Sequence, residues 1–294
     1  MHRPATQPFI AALAVLAGSL TVGVASAQDA APASAALPMS TREAPMMSGW
    51  TLQFEPSVHY IAPAGDLKLP NRSSMNTKEV KVDDLNLDDT RLAPYAEIHF
   101  RRDKWRISLS GFAYSLDDRS AVADSSFQFG NLSIASGDRL ESSLDFWTLE
   151  AVGSYRVFQD QTDRNSKGVI GGAVGIDILG GIRLFDVDLK VSTPTDSQSE
   201  DNLWAQPVLG ARVEFAIWER FGFDVTTAFG YMPGDNTSFS WDIVAGFHWR
   251  PIENVGLQIG YQQLAFTLED GDDEEKFRWK GGMAGLFGGV LIRF

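Results

Sequence analysis

The feature that most constrains this chain is a two-residue alternation of apolar and polar side chains, which returns in segment after segment from Trp50 onward. In the stretch QPVLGARVEFAIW, Leu209 and Val213 share one face while Arg212 and Glu214 share the other. Period two indicates β-strands, and the segments are long enough to cross a bilayer as tilted strands, which takes about nine to eleven residues. Ten segments follow this pattern: 50–61, 91–101, 105–116, 143–158, 168–185, 203–218, 221–232, 238–250, 254–268 and 277–294.

The connections between these segments alternate in length. Those at 101–104 and 251–254 are tight, whereas those at 62–90, 117–142 and 186–202 are long and polar. Short periplasmic turns and longer outer loops are typical of outer-membrane barrels, and an even strand count leaves both mature termini in the periplasm. The sequence therefore predicts an all-β fold, a transmembrane up-and-down antiparallel β-barrel of ten strands, with eight or twelve as alternatives.

The N-terminus has the pattern of an export signal. Residues 1–27 combine a short basic start at Arg3, a charge-free apolar stretch and a small-x-small cleavage site at Ala25-Ser26-Ala27, which together predict a secretory signal peptide. Residues 28–48 are rich in Ala and Pro and are interpreted as a flexible periplasmic tether, so that the barrel occupies 49–294. The expected location is the bacterial outer membrane.

Composition limits the function classes. Without Arg3 the chain carries 24 basic and 38 acidic side chains, a net charge of about −14, and such acidity argues against a nucleic-acid partner. There is no cysteine, which excludes a disulfide framework and a thiolate zinc site. No cofactor is expected.

The eight tryptophans all lie near the ends of the segments, as expected for aromatic girdles at two membrane interfaces. A soluble β-sandwich would alternate as well, but it would place tryptophan in mid-strand more often. The girdle prediction assigns four to the periplasmic interface and four to the outer interface: Trp50, Trp105, Trp218 and Trp249, then Trp147, Trp204, Trp241 and Trp279.

Two positions break the alternation. Phe277 and Trp279 are apolar at odd-numbered positions, whereas the apolar residues from Leu286 onward are at even-numbered positions. A bulge at Gly281-Gly282, which adds one residue to the strand, is expected to bring both sets onto the same face. A similar slip is expected near Gln262, after which the apolar residues take the other face.

The C-terminal half resembles a family of small proteobacterial outer-membrane β-barrels, of the porin-like or OmpA-type. Weaker similarity covers EIHFRRDKWRISLSGFAYSL and WTLEAVGSYRV, so the resemblance spans most of 90–294. It implies the fold and the location but no reaction. Gln206 and Gln262 stand where members often have an acidic residue and an arginine; if these two positions form a lumen salt bridge in relatives, that bridge is missing here. The matching residues are Trp204-x-x-Pro207-x-x-Gly210-x-Arg212, Ala245-Gly246, Gly260-Tyr261 with Leu264, and the closing GLFGGVLIRF.

The last strand also looks like the C-terminal signal that outer-membrane assembly machinery reads on barrel proteins. Its elements are Gly289, Ile292 and the terminal Phe294, while Phe287 replaces the polar residue usually found two places before the glycine. The barrel-assembly machinery is therefore an expected partner, together with outer-membrane lipid and lipopolysaccharide.

The inward positions carry charges of both signs in nearly equal number. A ten-strand barrel is far narrower than a general porin, and isolated charges in it would be costly, so the balance predicts a paired network in a narrow or plugged lumen. A small porin-like channel for ions or small solutes is the alternative. The predicted network comprises Glu55, Glu97, His99, Arg106, Glu150, Arg156, Asp177, Arg183, Arg212, Glu214, Asp242 and Arg250; Asp224 and Arg293 share the inward parity, and Arg278 and Lys280 would join if the bulge is present.

The histidines raise the question of chemistry. His59 and His99 lie on neighbouring segments close to Glu55 and Glu97, an arrangement that would suit a metal ion or an acid–base pair. Membership of the polar network is the simpler interpretation, because no nucleophile is recognisably placed beside them. We therefore expect no catalytic residue and no metal site; a lipid A deacylase or a protease is the less favoured alternative.

Acidic residues gather in two of the long loops. Carboxylate oxygens there would suit divalent cations that bridge to lipopolysaccharide phosphates, although simple solvation explains such charge runs as well. The function expected from the sequence is a non-enzymatic barrel in a structural or surface-interaction role. The acidic loop residues are Asp83, Asp84, Asp88, Asp89, Asp272 and Asp273.

Overall fold

A computed structural model describes residues 50–71, 77–162, 171–218, 220–272 and 275–294. The predicted signal peptide (1–27) and tether (28–48) lie outside the described residues. Within the described ranges, no helix combines the length and the apolar character needed to cross a membrane.

Ten long antiparallel strands form a closed barrel, as the alternation predicts. Each strand pairs with its neighbour along the sheet, and the last strand pairs with the first over fourteen residue pairs, from Gln53↔Arg293 to Lys68↔Arg278. Closure leaves the sheet without an unpaired edge. The barrel strands are β1 (Thr51–Lys68), β3 (Arg91–Arg102), β4 (Trp105–Val122), β7 (Arg139–Gln161), β8 (Gly172–Ser192), β9 (Ser197–Ile217), β10 (Phe221–Met232), β11 (Ser238–Trp249), β12 (Val255–Asp270) and β13 (Phe277–Arg293).

The two ends of the barrel differ. We call the end where β1 begins and β13 finishes the turn end, because connections such as 103–104 and 250–254 are short there. The opposite end, the loop end, carries the long connections. These contain three short strands and a 3-10 turn: β2 (Val80–Lys81), Asp83–Leu85, β5 (Phe127–Phe129) and β6 (Leu132–Ile134).

Several strands extend beyond their predicted limits. Residues 186–202, interpreted as a loop, largely continue β8 and β9, and the two ends of the 117–142 stretch continue β4 and β7. The polar composition of these stretches concealed the strands, because a strand that projects past a membrane can be polar on its outer face. The register shifts in the sheet lie here and at the turn end, between Leu116 and Arg119 and between Arg156 and Phe158.

The outer surface is apolar over the central part of the strands. The exposed fraction of these side chains is high, at 72% for Leu92 and 63% for Ile259, although both are large and aliphatic. A continuous apolar band of this kind is the lipid-facing surface of a transmembrane barrel. Other members of the band are Val58, Tyr60, Ile107, Ile178, Ile182, Leu209, Phe223, Phe229, Phe247, Leu257 and Leu286.

The predicted changes of phase are wrong. β13 runs from Phe277 to Arg293 in unbroken register with both neighbours, and no bulge lies at Gly281-Gly282. Phe277 and Trp279 therefore point into the barrel, and Arg278 and Lys280 point outward and do not join the lumen network. β12 is equally continuous through Gln262, so Leu264, Phe266 and Leu268 also point inward.

These inward apolar residues build a core in the loop-end half of the lumen. Phe266 and Trp279 meet edge to face with ring centroids 4.8 Å apart, and Phe146 lies 5.6 Å from Phe266. Aromatic pairs in this geometry add to the stabilisation from burial. The core also includes Phe112, Leu116, Leu144, Phe185, Val187, Trp204, Leu264, Leu268 and Phe277.

The loop-end connections cover this core. The hairpin β5–β6 buries Phe129, Leu132 and Ile134 in the same cluster, and the first connection adds Leu69, Val82, Leu85 and Leu87. The two connections are hydrogen-bonded, since the Lys78 amide donates to the Gln128 carbonyl at 3.0 Å. The apolar core thus spans the lumen and the mouth of the barrel.

The tryptophans fall into three groups. Trp105, Trp218 and Trp249 are exposed at the turn end, with Trp50 half-buried beside them. Trp147 and Trp241 lie on the outer surface of the loop-end half. Trp204 and Trp279 do not belong to a girdle: both are buried in the core, with exposed fractions of 1% and 0%. Trp204 and Trp279 lie near the ends of their segments, as the interfacial tryptophans do. Position in the segment therefore could not distinguish a ring at the membrane interface from a ring packed beneath the loops.

Candidate functional site

The turn-end half of the lumen contains a charged cavity of about 130 Å³. Its walls come from the inward positions of the strands, which carry charge below the apolar core. All twelve residues of the predicted network point inward, on strands β1, β3, β4, β7, β8, β9 and β11 and at Arg250 directly after β11. The cavity is ample for several water molecules, each of which needs roughly 10–15 Å³.

The largest group of charges surrounds Glu214. This carboxylate accepts hydrogen bonds from Arg106 and Arg156, and the Arg101 guanidinium lies 3.5 Å away. Arg156 also pairs with Asp177. Arg101 is absent from the predicted network although it shares the parity of Glu97 and His99, so the alternation alone was sufficient to find it.

Glycine makes room for this group. A Cβ atom on Gly175 would overlap the guanidinium of Arg156, which lies across the β8 backbone at that point. Any other residue at this position would require the Arg156 guanidinium to move from its place beside Asp177 and Glu214.

A second group is centred on Arg183, which is 2% exposed. Its Nε donates to Glu150 at 2.6 Å, Nη1 donates to the Ser240 hydroxyl at 2.9 Å, and Nη2 lies 3.2 Å from the Asp242 carboxylate. One cation thus joins β7, β8 and β11 across the lumen, directly below the apolar core.

A third group contains two carboxylates from adjacent strands. Glu55 of β1 and Glu97 of β3 are direct cross-strand partners, and like charges in that position repel. His99 lies between them, with Nε2 at 3.1 Å from Glu55 and 3.4 Å from Glu97. Arg212 approaches Glu97 at 3.6 Å. The imidazole of His99 therefore contacts both carboxylates, and the guanidinium of Arg212 contacts that of Glu97.

The imidazole of His99 is held by a hydroxyl. Its Nδ1 lies 2.8 Å from the Ser108 Oγ, which completes a line of contacts from Ser108 through His99 to Glu55. The order of groups is that of a nucleophile, a base and an orienting carboxylate. However, Ser108 is 2% exposed and does not line the cavity, so a substrate has no route to its hydroxyl. Its position fits a residue that orients the ring.

The remaining charges lie near the turn end. His248 pairs with Asp224 at 3.0 Å. Arg293 donates to the Gln53 side chain at 3.1 Å. Arg250 lies just beyond β11, and burial lowers the pKa of its guanidinium while the field of Glu55 opposes this. His59, by contrast, is stacked on Tyr95 in the aromatic layer above the cavity, with ring centroids 4.3 Å apart, and is not part of the group around His99.

Comparisons with known proteins concern the fold. No protein-family model matches the chain, and no curated protein matches it. Among solved structures it is similar to the outer membrane protease OmpT from Escherichia coli, at 7% identity and a TM-score of 0.46, with 83% of this chain and 97% of that one covered.

Two further solved structures resemble the chain. Neisserial surface protein A (NspA) is 13% identical with a TM-score of 0.33, and covers 84% of this chain and 98% of its own. Ail, the attachment invasion locus protein of Yersinia pestis, is 10% identical with a TM-score of 0.32, and covers 82% and 98%. At such values the similarities carry no argument about function, and what this barrel does has to be argued from its own geometry.

Proposed function

We propose that the protein is an integral outer-membrane β-barrel with a non-conducting lumen, and that it acts through structure and surface contacts rather than through transport or catalysis. The observation that carries this proposal is the apolar core across the loop-end half of the lumen. Phe146 packs there against both Phe185 and Trp279, and the three side chains have exposed fractions of 0–1%. An ion would have to pass between these packed rings, and the buried polar side chains in the same half of the lumen, such as Ser142 and Ser238, are uncharged; this is strongly unfavourable.

The outer surface supports membrane insertion. The exposed apolar side chains meet lipid, while Trp105, Trp218 and Trp249 occupy one interface, where amphipathic rings are favoured. The charged cavity then opens toward the periplasm, and the covered loop end faces the exterior. In this orientation the cavity is reached from inside the cell envelope, whereas the loops are available to partners outside it.

The acidic loops fit cation bridging to lipopolysaccharide only in part. Asp89 is already paired with Arg119 and lies 3.8 Å from Arg91, so its charge is compensated within the protein. Asp83 accepts a hydrogen bond from the Asp84 amide, and Asp273 lies outside the described residues. Surface contact through these loops remains part of the proposal, with lipopolysaccharide as the expected partner.

Planar-bilayer recording of the reconstituted protein tests the non-conducting lumen. We expect no unitary steps from the wild-type barrel, after heat-modifiable migration on a gel has shown that it is folded. Arg106→Ala is the matched control, because it enlarges the charged cavity and leaves the apolar core intact; it should also be silent. Stable unitary steps from the folded wild type would establish the channel alternative instead.

The C-terminal residue offers a test of assembly. The Phe294 amide donates to the Leu52 carbonyl at 2.9 Å, which fastens the end of the chain to β1. Deleting Phe294 removes this hydrogen bond, worth about 0.5–1.5 kcal/mol, and the terminal aromatic ring. We expect a lower heat-modifiable fraction in cell envelopes. Full assembly of the truncated protein would show that the barrel-assembly machinery does not need the terminal aromatic ring, and that Gly289 and Ile292 are sufficient without it.

A further inference from the structure

We propose that Glu55, Glu97 and His99 form a binding site for a divalent transition-metal ion of the zinc type. The three residues lie on adjacent strands, and one ligand atom from each falls within 4.8 Å of the others. All three side chains line the charged cavity. This inference concerns metal binding in the folded barrel and does not depend on whether the lumen conducts.

The spacing of the ligand atoms fits a metal. Two ligands bound to Zn²⁺ at about 2.0–2.1 Å in a tetrahedral arrangement lie roughly 3.3 Å apart. The His99 Nε2 lies 3.1 Å from the Glu55 oxygen and 3.4 Å from the Glu97 oxygen. Two of the three edges of a tripod are therefore already formed, and an ion between these atoms needs little movement of the side chains.

The surrounding residues hold the ligands as a metal site requires. A metal-bound histidine usually uses its other ring nitrogen to bond to a fixed partner, which sets the tautomer and the ring plane. Here His99 Nδ1 contacts the Ser108 hydroxyl at 2.8 Å, leaving Nε2 directed at the carboxylates. The Tyr95 hydroxyl donates to the second oxygen of Glu97 at 3.1 Å, and the Gln53 amide donates to Glu55.

Charge also favours a cation at this point. Glu55 and Glu97 are direct cross-strand partners, and the backbone gives them no freedom to separate. Arg212 lies 3.6 Å from the Glu97 oxygen that faces His99 and compensates part of this charge; with His99 neutral, a divalent ion would neutralise the rest. Two carboxylates and one imidazole suit zinc or a neighbouring divalent metal better than calcium or magnesium, which prefer oxygen ligands throughout. The cavity supplies the open fourth position for water.

The competing interpretation is that His99 bridges the two carboxylates by direct contacts, without a metal. Isothermal titration of the purified, folded barrel with Zn²⁺, and visible absorption with Co²⁺ as a spectroscopic substitute, separate the two. We expect one equivalent of metal in the wild type. His99→Ala and Glu55→Gln should each lower the affinity more than about 100-fold, and Ser108→Ala should lower it about 10–100-fold, as for residues that orient a ligand.

His248→Ala is the matched control. It removes another histidine that contacts a single carboxylate in the same cavity, at 3.0 Å from Asp224, and it should bind metal as the wild type does. If His99→Ala does not fold, as judged by heat-modifiable migration, Glu55→Gln carries the test. The proposal is overturned by a folded wild type that shows no saturable Zn²⁺ binding below about 1 mM, a free energy weaker than roughly −4 kcal/mol. It is also overturned if His248→Ala loses as much affinity as His99→Ala or Glu55→Gln.

Discussion

Replacing Arg183 by methionine should lower the free energy of unfolding by about 3–5 kcal/mol, the cost of removing one partner from a buried ion pair. The guanidinium is 2% exposed and contacts both Glu150 and Asp242. Without it, two carboxylates remain in the lumen with no cation between them. The hydroxyl of Ser240 loses its charged partner as well.

Urea unfolding of the barrel in detergent or lipid vesicles, followed by tryptophan fluorescence, provides the measurement. Arg139→Met is the matched control. It removes the same side chain from a pair with Glu141 at 3.8 Å in which both groups are about two-thirds exposed (68% and 66%), and such pairs contribute about 0–1 kcal/mol.

A triple variant tests the reason for the loss. Arg183→Met combined with Glu150→Met and Asp242→Leu removes the carboxylates together with the cation, and apolar replacement of a complete buried ion group is often neutral. It should recover most of the stability. If Arg183→Met lowers the free energy of unfolding no more than Arg139→Met does, then water reaches the ion group around Arg183 in the folded barrel. The lumen would then contain more water than the burial of Arg183 indicates.

The strand order and the barrel were predictable because period two is a local property of the backbone. Alternation identifies the residues that share a face, and this is why Glu97 could be grouped with His99, and Arg212 with Glu214. Strand number followed from counting, and closure from the requirement that a spanning sheet has no free edge. The pairs across the lumen, such as Arg183 with Asp242, depend on the barrel diameter and had no local signal.

Alternation does not say which face is inside. The face was assigned from the rule that lumen positions are polar, and this rule holds only in the turn-end half. Phe266 and Trp279 lie on the inward face of continuous strands. Because inward positions were expected to be polar, these apolar side chains were interpreted as evidence for a bulge. Phe129 and Leu85 pack in the same buried cluster and exclude water from this face, and they belong to connections that are distant in sequence from β12 and β13. Their role depends on long-range packing over the mouth of the barrel.

Replacing Trp279 by alanine should therefore lower the free energy of unfolding by about 3–5 kcal/mol, the usual cost of truncating a large aromatic side chain in a packed core. The ring is 0% exposed and contacts Phe146 and Phe266 edge to face. Its removal leaves a cavity between strands that are held in register on both sides, so the walls have little freedom to collapse into the space.

Trp241→Ala is the control that separates the two possible positions of a tryptophan near a strand end. Trp241 points outward, is 39% exposed and stacks on Phe229 at 6.1 Å. Its truncation loses one exposed aromatic contact, worth about 0.5–1.5 kcal/mol beyond area, together with the exposed hydrogen bond that its Nε1 donates to the Thr227 hydroxyl at 3.0 Å, and creates no cavity. Urea midpoints of the two variants in the same lipid vesicles give the comparison. Two results together would show that Trp279 faces lipid. The first is an equal loss of unfolding free energy in the two variants, and the second is equal quenching of the fluorescence of both rings by lipid-attached probes. The inward assignment of β13 would then fail, and with it the apolar core on which the non-conducting lumen depends.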